Sequence, residues 1–289
     1  METLFQDLRY TLRQLLRSPG FTAVALLTLA LGIGANSAIF SVVYGVLFRP
    51  LPFPESEQLV RVNSIVNGNT INAFSSPNYV DLAEQNDVFT AVAAITDGEL
   101  TLTGAGTPID MQAGVVSANF FDVMGVHPQI GRGFSPAENE PGNHRVVVLA
   151  NGVWQQQFGG DPSIIGQTVA LGREPFVVIG VMAPGFTYPG DVDAWVPLEY
   201  GPSFRNEDTR FGFFLSIVAR MRDGVTPEQA EAAVATIGQR IDNEFEPEGF
   251  DISFGMEALS LREATIGEVR TPLLVLLGAV GFVLLIACA

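Results

Sequence analysis

The residues able to do chemistry in this chain are few, and their spacing does not assemble them. His127 and His144 lie far apart, with no HExxH pattern and no cysteine nearby, so the sequence supports no zinc site. The single cysteine, Cys288, lies in an apolar stretch, so the chain has no intrachain disulfide. Asp191 and Asp193 in YPGDVDAW offer carboxylates to a cation, yet their setting reads as an exposed turn. Gly131-Arg132-Gly133 and Gly159-Gly160 also read as turns, and Trp154 and Trp195 as core residues. No GxSxG elbow occurs. The chain has no lysine, so a phosphate-cradling GxxxxGK[ST] loop is impossible, and any ATP must be bound by another polypeptide or a missing part of this one. No catalytic, cofactor or metal residue is assigned, and the chain reads as a protein that is not an enzyme.

Three cations do form a pattern. Arg9, Arg13 and Arg17 recur every fourth residue, beside a face made of Leu4, Phe5, Leu8, Leu12, Leu15 and Leu16. This predicts an amphipathic helix over residues 1–19, with a basic stripe suited to the inner membrane surface or to a cytoplasmic partner. Ser18-Pro19-Gly20 then breaks it.

The elements that position these residues come from charge patterning. Residues 18–48 carry no charged side chain, and neither do residues 271–289. Phe21–Phe48 is about 42 Å long as a helix at ~1.5 Å per residue, against a bilayer core of about 30 Å. The second stretch, TPLLVLLGAVGFVLLIACA, is just long enough to span. It stops at Ala289 with no charged residue after it, which leads to the expectation of a longer parent protein. Within the first span, Gly32, Gly34 and Ala38 allow close helix approach, and Asn36 needs a partner across a helix interface. Tyr44 and Arg49 suit the outer interface.

The first 20 residues hold three arginines against two acids, whereas residues 49–270 hold 12 arginines against 29 acids. The positive-inside rule puts the N-terminus in the cytoplasm and residues 49–270 on the far side. The net charge of −16 argues against nucleic acid.

Residues 49–270 read as an α+β domain. Ser76-Pro77 opens one helix, with Ser76 as its cap, and Thr226-Pro227 opens another, with Gln229 completing a capping box. Strands are expected near 59–66, 88–95, 146–149, 169–171, 176–182, 215–221 and 252–256. The expected arrangement is two strand–helix–strand units, about 54–116 and 206–268, forming a base near the membrane. A β-rich subdomain at about 117–205 is inserted between them.

LALGIGANSAIFSVVYGVLFRPLPFP, residues 29–54, closely resembles the first span of MacB-type ABC transporter permeases. The match is best to the orphan branch without a fused ATPase, the acidobacterial duplicated orphan permeases. LRYTLRQLLRSPGFTAVALLTL fits the same branch. Residues 115–134 and 146–182 resemble the family's periplasmic core domain, and 271–289 the start of its FtsX-like permease domain. The resemblance implies a noncatalytic permease subunit in a bacterial inner membrane, with 20–48 and 271–289 as spans. It implies three kinds of partner: a separate ATPase that binds the ATP, a second permease copy, and a periplasmic adaptor. Two other classes fit the two-span layout: a membrane sensor with a periplasmic ligand-binding domain, and an envelope scaffold.

Overall fold

The computed structural model describes residues 16–48, 50–103, 107–245 and 252–288. Arg9, Arg13 and Arg49 lie outside the described residues, as does most of the expected amphipathic helix. The chain divides into a core domain, residues 51–264, and a unit made of the two terminal segments.

In the core domain, runs of β-branched and aromatic residues form strands β1 (Leu59–Val66) and β3 (Phe89–Thr103), with the short β2 (Asn69–Ile71) beside β1. Helix α2 (Ser76–Gln85) lies between β2 and β3. Its cap is Ser75, not the expected Ser76: the Ser75 hydroxyl accepts from the Asn78 N–H at 3.3 Å. Both serines suit the position, but Ser76 already has helical geometry. The later unit is β10 (Ser216–Met221), α5 (Pro227–Glu244) and β11 (Phe254–Ser260). Helix α5 carries the predicted Thr226–Gln229 capping box and buries Ala230, Val234, Ile237, Gly238 and Ile241.

The four strands line up as β11-β1-β10-β3, each antiparallel to its neighbours. Each strand–helix–strand unit therefore leaves a gap that a strand of the other fills, the split βαβ arrangement of ferredoxin-like folds. One face of this sheet packs on α2 and α5 through Val60, Val62, Tyr79, Leu82, Val234 and Ile237.

The intervening segment contains β4 (Ile109–Val116), α3 (Phe120–Met124), β5 (Ile130–Gly131), β6 (Val146–Leu149), α4 (Asn151–Phe158), β7 (Thr168–Leu171), β8 (Glu174–Val181) and β9 (Ala194–Pro197). It does not build a separate sheet. β3 runs 15 residues, well past the expected end at Ile95. Its first half pairs with β10 and its second half with β4, so the sheet continues as β3-β4-β9-β6-β8-β5. The extension was hidden because DGEL looks like a turn. Gly98 is needed there, since a Cβ would sit 2.9 Å from Val115 Cγ2. A second hydrophobic cluster, with Val147, Leu149, Trp154, Ile164 and Val178, forms the core of this part.

In the other unit, Pro19 starts α1 (Pro19–Leu47), and α6 runs Leu261–Cys288. Residues Thr22–Leu47 and Val269–Ile286 are long and apolar enough to cross a membrane. Helix α6 begins ten residues before the expected Thr271 and passes through Pro272. The charges over 262–270 disguised this first part, because apolarity rather than helical backbone marked the element in the sequence.

Candidate functional site

The two apolar helices meet along one stripe of α1. A Cβ on Gly32 would lie 3.0 Å from Leu284 Cδ1, so glycine lets the leucine lie closer than a larger residue would without a small shift. One turn on, the Asn36 amide donates to the Val280 carbonyl at 3.5 Å. Four residues forward on α1 match four residues back on α6, which is antiparallel packing. The partner that Asn36 needs across a helix interface is thus found on α6. Gly34 and Ala38 are not in this contact: among the described residues nothing lies within 4 Å of a Cβ on Gly34, and Ala38 is exposed. Thr28 and Ser41 satisfy their hydroxyls on the Val24 and Ser37 carbonyls, each at 2.8 Å. Phe40, Tyr44 and Phe48 stack as an exposed ladder. Arg17 is exposed, just before the break at Ser18.

In the core domain, the sheet face opposite α2 and α5 carries an aromatic cluster. Phe120 and Phe121 of α3 meet Phe186, Tyr188 and Trp195 with ring centroids 5.2–6.3 Å apart. The Trp195 indole donates to the Tyr188 carbonyl at 3.0 Å. Burial pushes the Tyr188 hydroxyl up to about 12, against the pull of the Arg61 charge. Two further members come from the junctions with the helices. Phe53, six residues past α1, packs edge-on against Phe186 and Tyr188. Leu261, the first residue of α6, is 1% exposed in the same cluster. One core therefore receives both segments that lead to the apolar helices.

The residues weighed for chemistry are not brought together. His127 is exposed in an open cleft of about 500 Å³, beside Phe121, Asp122, Arg132, Phe134 and Ser135. Arg132 is neutralised there by a two-pronged pair with the buried Glu138, at 2.6 and 3.0 Å. Burial pushes the Glu138 carboxyl up, but Arg132 and the Ser135 N–H outweigh it and hold the group below its usual value. His144 lies 3.4 Å from Glu199, remote in sequence from His127. Asp191 is exposed, whereas Asp193 accepts from the Gln112 N–H at 3.0 Å and fixes the strand edge. Both tryptophans are buried. Gly159 and Gly160 are left-handed turn residues, but Gly131 sits in β5, where a Cβ would run into the Ile179 carbonyl. Among the described residues, no three His, Cys, Asp or Glu side chains are grouped to hold a metal.

Sequence reasoning missed two arginines. Arg210 is 3% exposed and bonds Asn78 at 2.7 Å, Asp81 at 2.6 Å and Glu207 at 2.7 Å, with its guanidinium 3.7 Å above the Phe245 ring. Arg220 gathers the chain leaving α1. No local pattern marks either residue.

A ferredoxin-like sheet extended by a mixed insertion lies in sequence between two helices long and apolar enough to cross a membrane, the layout of a membrane protein with a folded domain between two spans. The chain belongs to the family of MacB-like periplasmic core domains, which it matches over residues 22–237. It is therefore a membrane protein of the ABC transporter permease class with a periplasmic domain. It is 28% identical over 141 residues to the macrolide export ATP-binding/permease protein MacB of Salmonella paratyphi A, covering 46% of this chain and 20% of that protein. It is 32% identical over 119 residues to the pyoverdine export ATP-binding/permease protein PvdT of Pseudomonas syringae pv. tomato, covering 39% of this chain and 17% of that protein. The chain thus spans about a fifth of the length of these relatives. The periplasmic region of MacB from Actinobacillus actinomycetemcomitans shares the fold, with a TM-score of 0.52 and 17% identity over 73% of this chain and 94% of that one. A permease-protein domain from Porphyromonas gingivalis aligns with a TM-score of 0.52 and 15% identity, over 71% and 91%.

Proposed function

We propose that the chain is a noncatalytic part of a MacB-like ABC permease, in which a separate ATPase drives movement of the periplasmic core domain. The observation that carries this reading is the shared core: Phe53 and Leu261, at the inner ends of the two helix junctions, pack into one aromatic cluster. A displacement of either helix then acts on the same packed group of side chains, and close-packed cores transmit displacement rather than absorb it. Residues 1–289 hold no lysine and so no Walker A loop, which fits a reading in which ATP is bound outside them, here by a separate ATPase. The N-terminus lies in the cytoplasm of this inner-membrane protein, where Arg9, Arg13 and Arg17 face anionic lipid or the ATPase. Gly32 and Asn36 serve packing within the chain, which leaves Gly34 and Ala38 available to a second permease copy. A periplasmic adaptor is a further partner of the core domain.

The orientation is tested by alkaline phosphatase fusions after Gly160 and, separately, after Arg17. The expected outcome is activity from the Gly160 fusion alone; activity from the Arg17 fusion alone would reverse the topology and remove the proposed coupling.

A further inference from the structure

The segment following α1 is held by one side chain. Arg220 lies near the end of β10, opposite Leu59 of β1 and Ala91 of β3. Its Nε donates to the Val123 carbonyl at 2.8 Å, and its Nη2 to the Pro54 carbonyl at 3.2 Å. Nη1 reaches the Glu55 carbonyl at 3.5 Å and Gln58 Oε1 at 3.4 Å, and it lies 3.5 Å from the Glu55 carboxylate. Gln58 in turn donates to Asp223 at 3.0 Å. The same guanidinium thus joins the end of α3, the central strand β10 and residues 54–58.

Two backbone features fit this assignment. Glu55 has φ 48°, a left-handed conformation uncommon for a residue with a side chain, and it persists only where surroundings hold it. That turn brings the Pro54 and Glu55 carbonyls round to one cation. Gly125 ends α3 with φ 67°, and a Cβ there would lie 2.9 Å from Arg220 Nη2 and 3.5 Å from Pro54 Cβ. Glycine therefore leaves room for the guanidinium. Val123 is one of the carbonyls left unpaired at the end of α3, a position that favours a cation. A guanidinium holds five N–H donors in a fixed planar fork, which suits carbonyls arriving from two segments better than the three donors of a compact ammonium.

We propose that Arg220 is the positioning residue that locks the segment after α1 to α3 and β10, so that movement of that segment is passed into the periplasmic core domain. This rests on the function proposed above. The test uses the full-length protein with its ATPase in nanodiscs, in a background from which every native cysteine, Cys288 included, has been replaced by serine. A fluorophore on Q156C, on the exposed side of α4, reports the distance to labelled lipid headgroups. R220Q and the milder R220K are compared with wild type. Amide exchange over residues 55–60 is measured on the same samples. The expected outcome is exchange raised at least tenfold over residues 55–60 in both variants, with α5 and β11 unchanged. The ATP-dependent fluorescence change should fall below a quarter of wild type. If R220Q does not fold, R220K carries the comparison. Unchanged exchange overturns the lock, and raised exchange with a wild-type fluorescence change overturns its role in transmission. A wild-type complex that shows no ATP-dependent change removes the proposed function itself, whereas a responsive wild type with equally responsive variants removes only the role of Arg220.

Discussion

Arg210 and Glu138 show how single charged side chains hold the core domain together. Arg210 is buried with the Asp81 carboxylate of α2, the Glu207 carboxylate of the turn just before Arg210, and the Phe245 ring under its guanidinium, so its charge is compensated where the fold covers it. Glu138 accepts from Arg132 and from the Ser135 N–H at 2.7 Å, and so closes the turn that begins at Ser135. Its folded-state value lies below the unfolded one. The stability it contributes is therefore fully present above the ordinary value of 4.5 and is lost as pH falls through the folded value. E138Q should lower stability at pH 7 by about 1–2 kcal/mol, a Tm decrease of roughly 2–8 °C for a domain of this size. The difference from wild type should shrink steadily below pH 4.5. A thermal melt series from pH 7 to pH 3 checks this, and a pH-independent difference would contradict the role given to the carboxylate. Little at this scale was legible in the sequence. The Arg220 partners are 97 to 166 positions away, and no periodicity brings such residues together. The tryptophans were legible as core, because a large apolar ring has few other places to go.

At the scale of elements, local signals were legible to within about a residue, as the cap at Ser75 rather than Ser76 shows, and long-range ones were not. The Thr226–Gln229 box is a pattern four residues long and marked the start of α5. Strands β1 and β6 coincide with short runs rich in β-branched residues. The extent of β3, the start of α6 and the joining of the insertion into one sheet depend on pairing and packing partners far along the chain. Gly238 in α5 illustrates the limit. As a mid-helix glycine it reads as a weakness of about 1 kcal/mol relative to alanine. In the structure a Cβ there would lie 2.6 Å from the Met256 N–H nitrogen and 3.0 Å from the Gly255 carbonyl carbon, both backbone atoms of β11. G238A should therefore destabilise the core domain by a net ~1–3 kcal/mol despite its better helix propensity. Chemical denaturation reads this directly; a stabilised variant would show that α5 does not approach β11 so closely.

At the scale of the whole molecule, the charge-free segments were the most legible feature. They gave two apolar helices with an acidic α+β domain between them in the chain. That layout alone fits a sensor or a scaffold equally well. The family match over residues 22–237 selects the permease class. In the proposed function, the shared cluster at Phe53 and Leu261 is where displacement of either helix acts on the domain. ATP, in that proposal, is used by a partner and felt by this chain. The direct measurement is ATP turnover in nanodiscs by the full-length parent alone, by its ATPase alone, and by the two together. The expected outcome is no turnover by the permease alone and a several-fold change in the ATPase rate when the permease is added. Replacing Arg9, Arg13 and Arg17 with glutamine should reduce that change. Saturable turnover by the permease alone, or an ATPase that neither co-purifies with it nor alters its rate, would contradict the account.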